Sequence, residues 1–306
     1  MGEAIIGTIT SATGETLEKR TWRPDGTPRA ILQLVHGMAE HIARYDDTAK
    51  RLNEAGFLVV GHTQLGHGSH AKTLGWFAPQ HGWDLLVEDE HTLRQTTRQE
   101  YPELPYFLLG HSMGSFIVRT YCLKYEQGLS GVILSGTAHF DAPLLATALS
   151  IANLQCLLGG EKKPSHLLNN MSFAGYNKAF APARTAFDWL SRDPDVVDRY
   201  VADPYCGFPF TAGGYRDLFR GLKQLYPKNL SAMDRDVPVR LFSGACDPVG
   251  QQGASVKTTM RELLDAGVKD VSLKLYEGAR HETMNETNRE EVWNDLIGWL
   301  DDQLTV

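Results

Sequence analysis

Short apolar runs alternate with stretches of helical periodicity along most of the chain. Continuous apolar runs such as Ala30–Val35 are typical of parallel strands that are buried on both faces of a sheet. The pattern predicts strands at 4–10, 16–23, Ala30–Val35, 57–60, 106–109, 131–134, 237–242 and 271–275, and helices at 45–55, about 81–100, 113–125, 252–266 and 287–304. Because strands and helices alternate, the expected fold is α/β, with a mostly parallel, doubly wound sheet.

The alternation stops between residues 137 and 235, where helical stretches, turns and many aromatic residues replace it. A gap of about a hundred residues is too long for a loop, and it indicates an inserted, mainly helical cap. The sequence therefore predicts a core formed by residues 1–136 and 236–306, with the cap between them. Most cap aromatics are expected to fill the cap's own core, and the rest to line an apolar cavity.

One segment of the predicted cap, residues 144–158, has apolar residues on more than one side of a helix. They are Leu144, Leu145, Ala148, Leu149, Ile151 and Ala152. An amphipathic helix buries only one side, so the excess predicts contact with a membrane or micelle surface that guides acyl chains inward. Burial against the rest of the cap is the alternative. Interspersed polar residues such as Asn153 argue against a membrane span.

Composition narrows the classes of partner. The net charge of −7 argues against binding to nucleic acid or to a strongly anionic membrane. No export signal precedes the first strand, and the cysteines lack a C-x-x-C pair, so reduced thiols in a cytoplasmic protein are expected, with peripheral membrane contact through the cap. The scattered cysteines are Cys122, Cys156, Cys206 and Cys246. Nothing in the composition indicates an oligomeric state.

The stretch "GHSMG", residues 110–114, places a serine between two glycines after a predicted buried strand. In a nucleophile elbow a sharp strand-to-helix turn exposes the serine, and small residues are needed on either side because strand and helix approach closely. Gly110 and Gly114 meet that need. The local alternative is an ordinary serine that caps the following helix.

A serine becomes a nucleophile only with a base and an acid that orients the base. Asp247 follows the strand at 237–242, and His281 follows the strand at 271–275. Since the carboxyl ends of parallel strands meet at one edge of a sheet, Ser112, His281 and Asp247 are predicted to form a catalytic triad there. Asp141, after the strand at 131–134, is the alternative acid.

Two backbone N–H groups are predicted to form an oxyanion hole. Met113 follows the nucleophile, and Met38 follows Gly37, whose small size permits close approach after the strand Ala30–Val35. A plain strand-to-helix turn is the alternative at this position. The loop histidines His62, His67 and His70 have no cysteine or carboxylate at ligand spacing, so no metal site and no cofactor are predicted.

With these residues identified, the chain resembles the monoacylglycerol lipase and lysophospholipase group of α/β-hydrolases, in its bacterial form. The matching blocks are "HGMAEHIARYD", "LGHG", "GHSMGS", "GACDPV" and "ARHETMNE". The resemblance implies a capped serine esterase without a cofactor that cleaves one acyl chain from a polar head group. Ser112, Asp247 and His281 match the triad, and Met38 and Met113 match the oxyanion donors. One departure is Thr63-Gln64-Leu65, where the group usually has Asp-His-Arg.

Other functions remain open at this point. A serine nucleophile excludes epoxide hydrolases and dehalogenases, which use a carboxylate. Short-chain carboxylesterases, thioesterases, aminopeptidases and perhydrolases all keep a serine triad. A hydrolase-fold binding protein without activity is the alternative from another class, although such proteins usually lose a member of the triad.

Overall fold

The central element of the protein is an eight-stranded sheet, seen in a computed structural model that describes residues 3–305. The strands are β1 (Ile5–Thr10), β2 (Thr16–Trp22), β3 (Ala30–Val35), β4 (Phe57–His62), β5 (Tyr106–His111), β6 (Gly131–Ser135), β7 (Val239–Gly244) and β8 (Val271–Tyr276). Their order in space is β1-β2-β4-β3-β5-β6-β7-β8, and every pairing from β4 to β8 is parallel. The predicted mostly parallel sheet is confirmed.

The helices follow the predicted order closely. They are α1 (Asp46–Glu54), α2 (Gly82–Glu100), α3 (Met113–Tyr125), α4 (Ala142–Gln155), α5 (His166–Phe173), α6 (Pro194–Ala202), α7 (Ala212–Gln224), α8 (Pro227–Leu230), α9 (Ala254–Asp265) and α10 (Arg289–Leu304). Several strands run two residues further than predicted at their carboxyl ends. Gly61 pairs with Leu34, and Gly110 pairs with Val35, because backbone pairing continues where apolar side chains stop.

Both faces of the sheet are covered, which explains the continuous apolar runs. On β3, Leu32 and Leu34 pack with residues of α1 and α10, including Leu52 and Leu296. Ile31 and other side chains on the opposite face pack with residues of α2, α3 and α9. The carboxyl ends of the parallel strands are therefore the part of the sheet left for a site.

The segment between β6 and β7 contains helices α4 to α8. Helix α7 contacts both α2 and α3, and a Cβ on its Gly221 would lie only 2.0 Å from the ring of Trp83 on α2. Six of the eleven aromatic residues at positions 173–219 lie in a small cluster of their own, as expected for most of them, and others belong to the main core instead. Phe210, Tyr215 and Phe219 belong to the main core, whereas a separate small cluster forms around Trp189.

Helix α4 and the turn Cys156–Gly160 form a surface segment with few buried residues. By length and composition Ala142–Gly160 could cross a membrane, yet the helix packs against α7, and Leu145 is 3% exposed. The prediction that Leu145 meets lipid is wrong for that reason. The exposed apolar side chains are Leu144 (59%), Leu154 (56%), Leu157 (84%) and Leu158 (78%).

Candidate active site

Ser112 occupies a strained turn between β5 and α3. Its φ of 53° and ψ of −122° lie outside the regions that non-glycine residues commonly adopt. A Cβ on Gly110 would lie 2.3 Å from the carbonyl oxygen of Gly114, and one on Gly114 would lie 2.1 Å from that of Val35. The two glycines are therefore required by the close approach of strand and helix.

The side chain of Ser112 does not cap the helix that it precedes. No cap hydrogen bond is made by its hydroxyl, and the N–H of Ser115 donates to the Ser112 carbonyl instead, at 2.9 Å. Ser112 is also the single residue between positions 106 and 122 that is not buried. The Ser112 hydroxyl therefore lies on the accessible side of an otherwise buried stretch. Its lack of a cap hydrogen bond argues against the capping alternative.

Asp247 and His281 form a buried pair. Nδ1 of His281 lies 2.9 Å from Oδ2 of Asp247, and the two side chains are 2% and 0% exposed. The Ser243 hydroxyl also donates to Oδ2 at 3.0 Å, and the Val249 N–H donates to Oδ1 at 2.9 Å. Burial by itself would lower the pKa of His281, but the attraction of the Asp247 carboxylate outweighs it and raises the pKa.

The ring of His281 lies against the turn that carries Ser112. The N–H of Ser112 donates to the carbonyl of Ser135 at 2.9 Å, and a Cβ on the next residue, Gly136, would lie 2.9 Å from Cε1 of His281. The rings of His281 and His111 are 4.8 Å apart between centroids. In contrast, the side chain of the alternative acid Asp141 is 81% exposed and faces His139.

The loop after β3 approaches the same turn. A Cβ on Gly37 would lie 3.1 Å from Cβ of Ser112 and 2.7 Å from Oε1 of Glu40, so glycine is needed there. Met38 is the one residue between positions 30 and 40 that is not buried. As the first residue of α3, Met113 has an N–H with no acceptor inside the helix. Both predicted oxyanion donors therefore border the Ser112 turn.

Gln64 makes two hydrogen bonds to the loop after β3. Its backbone N–H donates to Nε2 of His36 at 2.9 Å, and its side-chain Nε2 donates to the His36 carbonyl at 2.7 Å. Burial lowers the pKa of His36 well below its usual value, which keeps the ring neutral and able to accept. Gln64 belongs to the stretch Thr63-Gln64-Leu65, which departs from the family pattern, and its two hydrogen bonds hold the ring and the carbonyl of His36.

The three loop histidines considered for a metal have separate partners. Nε2 of His62 lies 3.1 Å from Oε1 of buried Glu90. The N–H of Ala39 donates to Nε2 of His67 at 3.2 Å, and burial lowers the pKa of His67 to about 4. His70 is exposed. These three side chains therefore do not converge.

A charged network that the sequence analysis missed joins two loops of the site. The Arg44 guanidinium donates to both carboxylate oxygens of Glu282 at 2.7 Å and to Oε2 of Glu40 at 2.5 Å. Glu40 accepts the Gly37 N–H at 2.6 Å, and Glu282 follows His281 directly. The spacing of Glu40 and Arg44, four residues apart, could have indicated the first pair, but no local pattern indicates Glu282.

Comparisons with known proteins agree with the fold and extend over most of the chain. The family model described as "Serine aminopeptidase, S33" (Hydrolase_4) matches residues 26–288, which include Ser112, Asp247 and His281. A monoacylglycerol lipase of Mycolicibacterium smegmatis is 32% identical over 91% of this chain and 90% of its own length. A rat monoglyceride lipase is 28% identical over 97% and 91%.

Among solved structures, a thermostable carboxyl esterase from Bacillus coagulans, in complex with glycerol, superimposes with a TM-score of 0.92. It is 30% identical, and the match covers 99% of this chain and 100% of the esterase. The predicted α/β-hydrolase fold is thereby confirmed, and so is the prediction of a carboxylic-ester hydrolase.

Proposed function

We propose that this chain, which belongs to the serine aminopeptidase, S33 family of α/β-hydrolases, is a serine ester hydrolase that cleaves monoacylglycerols. The observation that carries the proposal is the buried Asp247–His281 pair beside the strained, accessible Ser112. The head group is suggested by the relatives, since the mycobacterial and rat proteins are named as lipases of monoacylglycerol or monoglyceride.

In the proposed mechanism the reaction has two steps. His281 takes the proton of the Ser112 hydroxyl, the Ser112 oxygen attacks the ester carbonyl, and the glycerol alkoxide leaves with the proton from His281. His281 then takes a proton from a water molecule that attacks the acyl carbonyl; the bond to the Ser112 oxygen breaks, the fatty acid leaves, and His281 returns the proton to Ser112. Asp247, bound to Nδ1, fixes the tautomer in which Nε2 is the base, and it stabilises the imidazolium that forms.

The negative charge on the carbonyl oxygen is stabilised by the N–H groups of Met38 and Met113. Preorganised donors of this kind each contribute on the order of 3 kcal/mol to the transition state. The N-terminus of α3, which begins at Met113, adds a favourable dipole because the charge develops in front of it. Gly37, Gly110 and Gly114 have supporting roles, since each removes a side chain that would block these approaches.

The test of the nucleophile is Ser112→Ala. Turnover of a short p-nitrophenyl ester and of a monoacylglycerol should fall by about five to six orders of magnitude, as triad replacements do. Labelling by a fluorophosphonate probe should be lost as well. Ser150→Ala is the matched control, because Ser150 lies exposed on α4 with its hydroxyl bonded to the Ala146 carbonyl. Activity retained by the Ser112 variant would refute the assignment.

The segment Ala142–Gly160 is the proposed contact with the lipid surface. Leu157 and Leu158 are the most exposed apolar side chains of this segment, and their burial in lipid would contribute on the order of 1.5–3 kcal/mol each. Replacing both by serine should raise KM for micellar monoacylglycerol at least tenfold and leave a soluble acetate ester unaffected. Leu264→Ser, at a 42% exposed leucine on α9, is the control. Equal KM values in the two variants would contradict the contact.

A general short-chain carboxylesterase is the second candidate, favoured by the likeness to the Bacillus coagulans esterase. A panel of monoacylglycerols, lysophospholipids, thioesters and aryl esters of graded chain length separates the candidates. A kcat/KM that rises with acyl length on monoacylglycerols supports the lipase, and a maximum at two to four carbons supports the esterase.

The four free thiols support the predicted cytoplasmic location.

A further inference from the structure

Three side chains with metal-binding atoms meet where the loop after β3 contacts the segment after α6. His41 comes from the loop, and Asp203 and Cys206 come from the segment. One ligand atom from each lies within 4.8 Å of the other two, and Nε2 of His41 is 2.8 Å from Oδ2 of Asp203. Neither the proposed reaction nor the loop histidines discussed above account for this cluster.

We propose that His41, Asp203 and Cys206 bind a divalent transition-metal cation such as Zn²⁺. Imidazole nitrogen, thiolate sulfur and carboxylate oxygen are the three ligand types of protein zinc sites. Tetrahedral coordination with ordinary bond lengths holds such atoms roughly 3.3–3.6 Å apart, so the cluster needs only small side-chain movements to receive the ion. Three protein ligands leave the fourth position for water.

The backbone around the cluster is already fixed. The Gly207 N–H and the Tyr200 hydroxyl both donate to the Ala39 carbonyl, at 2.9 and 3.0 Å. Oδ1 of Asp203 accepts the Tyr205 N–H at 2.8 Å, which leaves Oδ2 directed at His41. A preformed arrangement lowers the ordering cost of binding.

The ion would connect the segment after α6 to the loop that carries Met38, and it would stabilise that junction without entering the reaction. The side chains of His41 and Asp203 are 18% and 28% exposed, so an ion can reach the site from solvent. This site is independent of the proposed function.

The experiment uses the full chain without an affinity tag, stripped of metal with a chelator and then titrated with Zn²⁺ against a chromophoric competitor. One ion should bind per chain, with a rise in Tm. Co²⁺ should give the near-ultraviolet absorption band of a thiolate ligand. Cys206→Ser should weaken Zn²⁺ binding at least tenfold and abolish the band.

Two further variants separate the site from adventitious binding. Asp203→Asn should weaken Zn²⁺ binding but keep the thiolate band at high Co²⁺. Cys156→Ser, at another partly buried cysteine, should bind like the unmodified chain. Absence of 1:1 binding, or an affinity that is equal in the chain and in Cys206→Ser, would overturn the proposal.

Discussion

Replacement of Arg44 by methionine should be among the most damaging single changes outside the proposed triad. The substitution keeps much of the apolar stem and removes the guanidinium, leaving the carboxylates of Glu40 and Glu282 buried without their cation. All three side chains are nearly inaccessible, at 12% for Arg44 and 4% for each glutamate. Breaking a buried ion pair in this way costs about 3–5 kcal/mol.

The pKa of Glu282 gives a second route to the magnitude. Burial alone would raise this pKa, but the ion pair and hydrogen bonds with Arg44 outweigh burial and lower it from 4.5 to about 2. At about 1.36 kcal/mol per pH unit, that difference corresponds to roughly 3 kcal/mol. Because the pKa is depressed in the folded state, this stability is complete above pH 4.5 and is lost as the pH falls towards 2.

The expected result of Arg44→Met is therefore a loss of about 3 kcal/mol at pH 7, or a fall in Tm on the order of 6–12 °C. The difference from the unmodified chain should shrink as the pH falls towards 2, because a protonated Glu282 no longer needs the guanidinium. Turnover should also drop, because Arg44 joins the loop of Gly37 to the loop of His281, and a displacement of about 1 Å can cost a hundredfold in rate.

Urea unfolding from pH 3 to 8 measures the stability, and a soluble p-nitrophenyl ester measures the rate. Arg51→Met is the control, since Arg51 pairs with Glu54 at 3.3 Å on the surface and its loss should cost less than about 1 kcal/mol. A loss below 1 kcal/mol in Arg44→Met, or a loss that does not vary with pH, would refute the reasoning.

Three further outcomes are expected. The acid limb of the pH profile of kcat/KM should lie above 6.5, because His281 must be neutral to act as base and Asp247 raises its pKa; a limb at or below 6.5 would contradict that raised pKa. Asp247→Asn should reduce kcat by about four orders of magnitude. Gly114→Ala should destabilise the fold and abolish turnover, since its Cβ would lie 2.1 Å from the Val35 carbonyl. In contrast, a Cβ on Gly298 of α10 meets no atom of residues 3–305 within 4 Å, so Gly298→Ala should be neutral or stabilising in thermal unfolding. Gln64→Leu should cost about 1–3 kcal/mol in urea unfolding and reduce kcat more than it changes KM, because the His36 carbonyl loses its donor; unchanged kcat would show that the loop does not depend on Gln64.

The strands of the sheet could be predicted because the burial of each strand is visible in its own short stretch of sequence. A strand buried on both faces must be apolar at successive positions, as β3 is, and a helix that follows must show its own periodicity. The strand ends were less predictable. Gly61 and His62 extend β4 through backbone pairing alone, and no hydrophobic signal marks them.

The packing of the segment between β6 and β7 could not be predicted, since it depends on partners far away in the chain. Leu145 reads as one more apolar residue of a lipid-facing helix, and only the contact between α4 and α7 shows that it is buried. Leu157 and Leu158 are equally apolar but lie in solvent, because the turn that carries them extends beyond the end of α4. Hydrophobicity therefore marked the segment as apolar, but it did not separate the buried Leu145 from the exposed leucines.

The predicted reactive residues were accessible to sequence reasoning because each is tied to a local requirement. Ser112 needs a glycine two positions away on either side, and Asp247 and His281 follow strands whose carboxyl ends share one edge of the sheet. Among the residues that position them, Glu40 and Arg44 have a local signal in their spacing, but Glu282 has none. Arg44 reaches Glu282 across 238 positions, and their choice is fixed only by the fold that brings the two loops together. Short motifs thus predict the proposed reactive residues, whereas the ion pairs that position them form only in the folded chain.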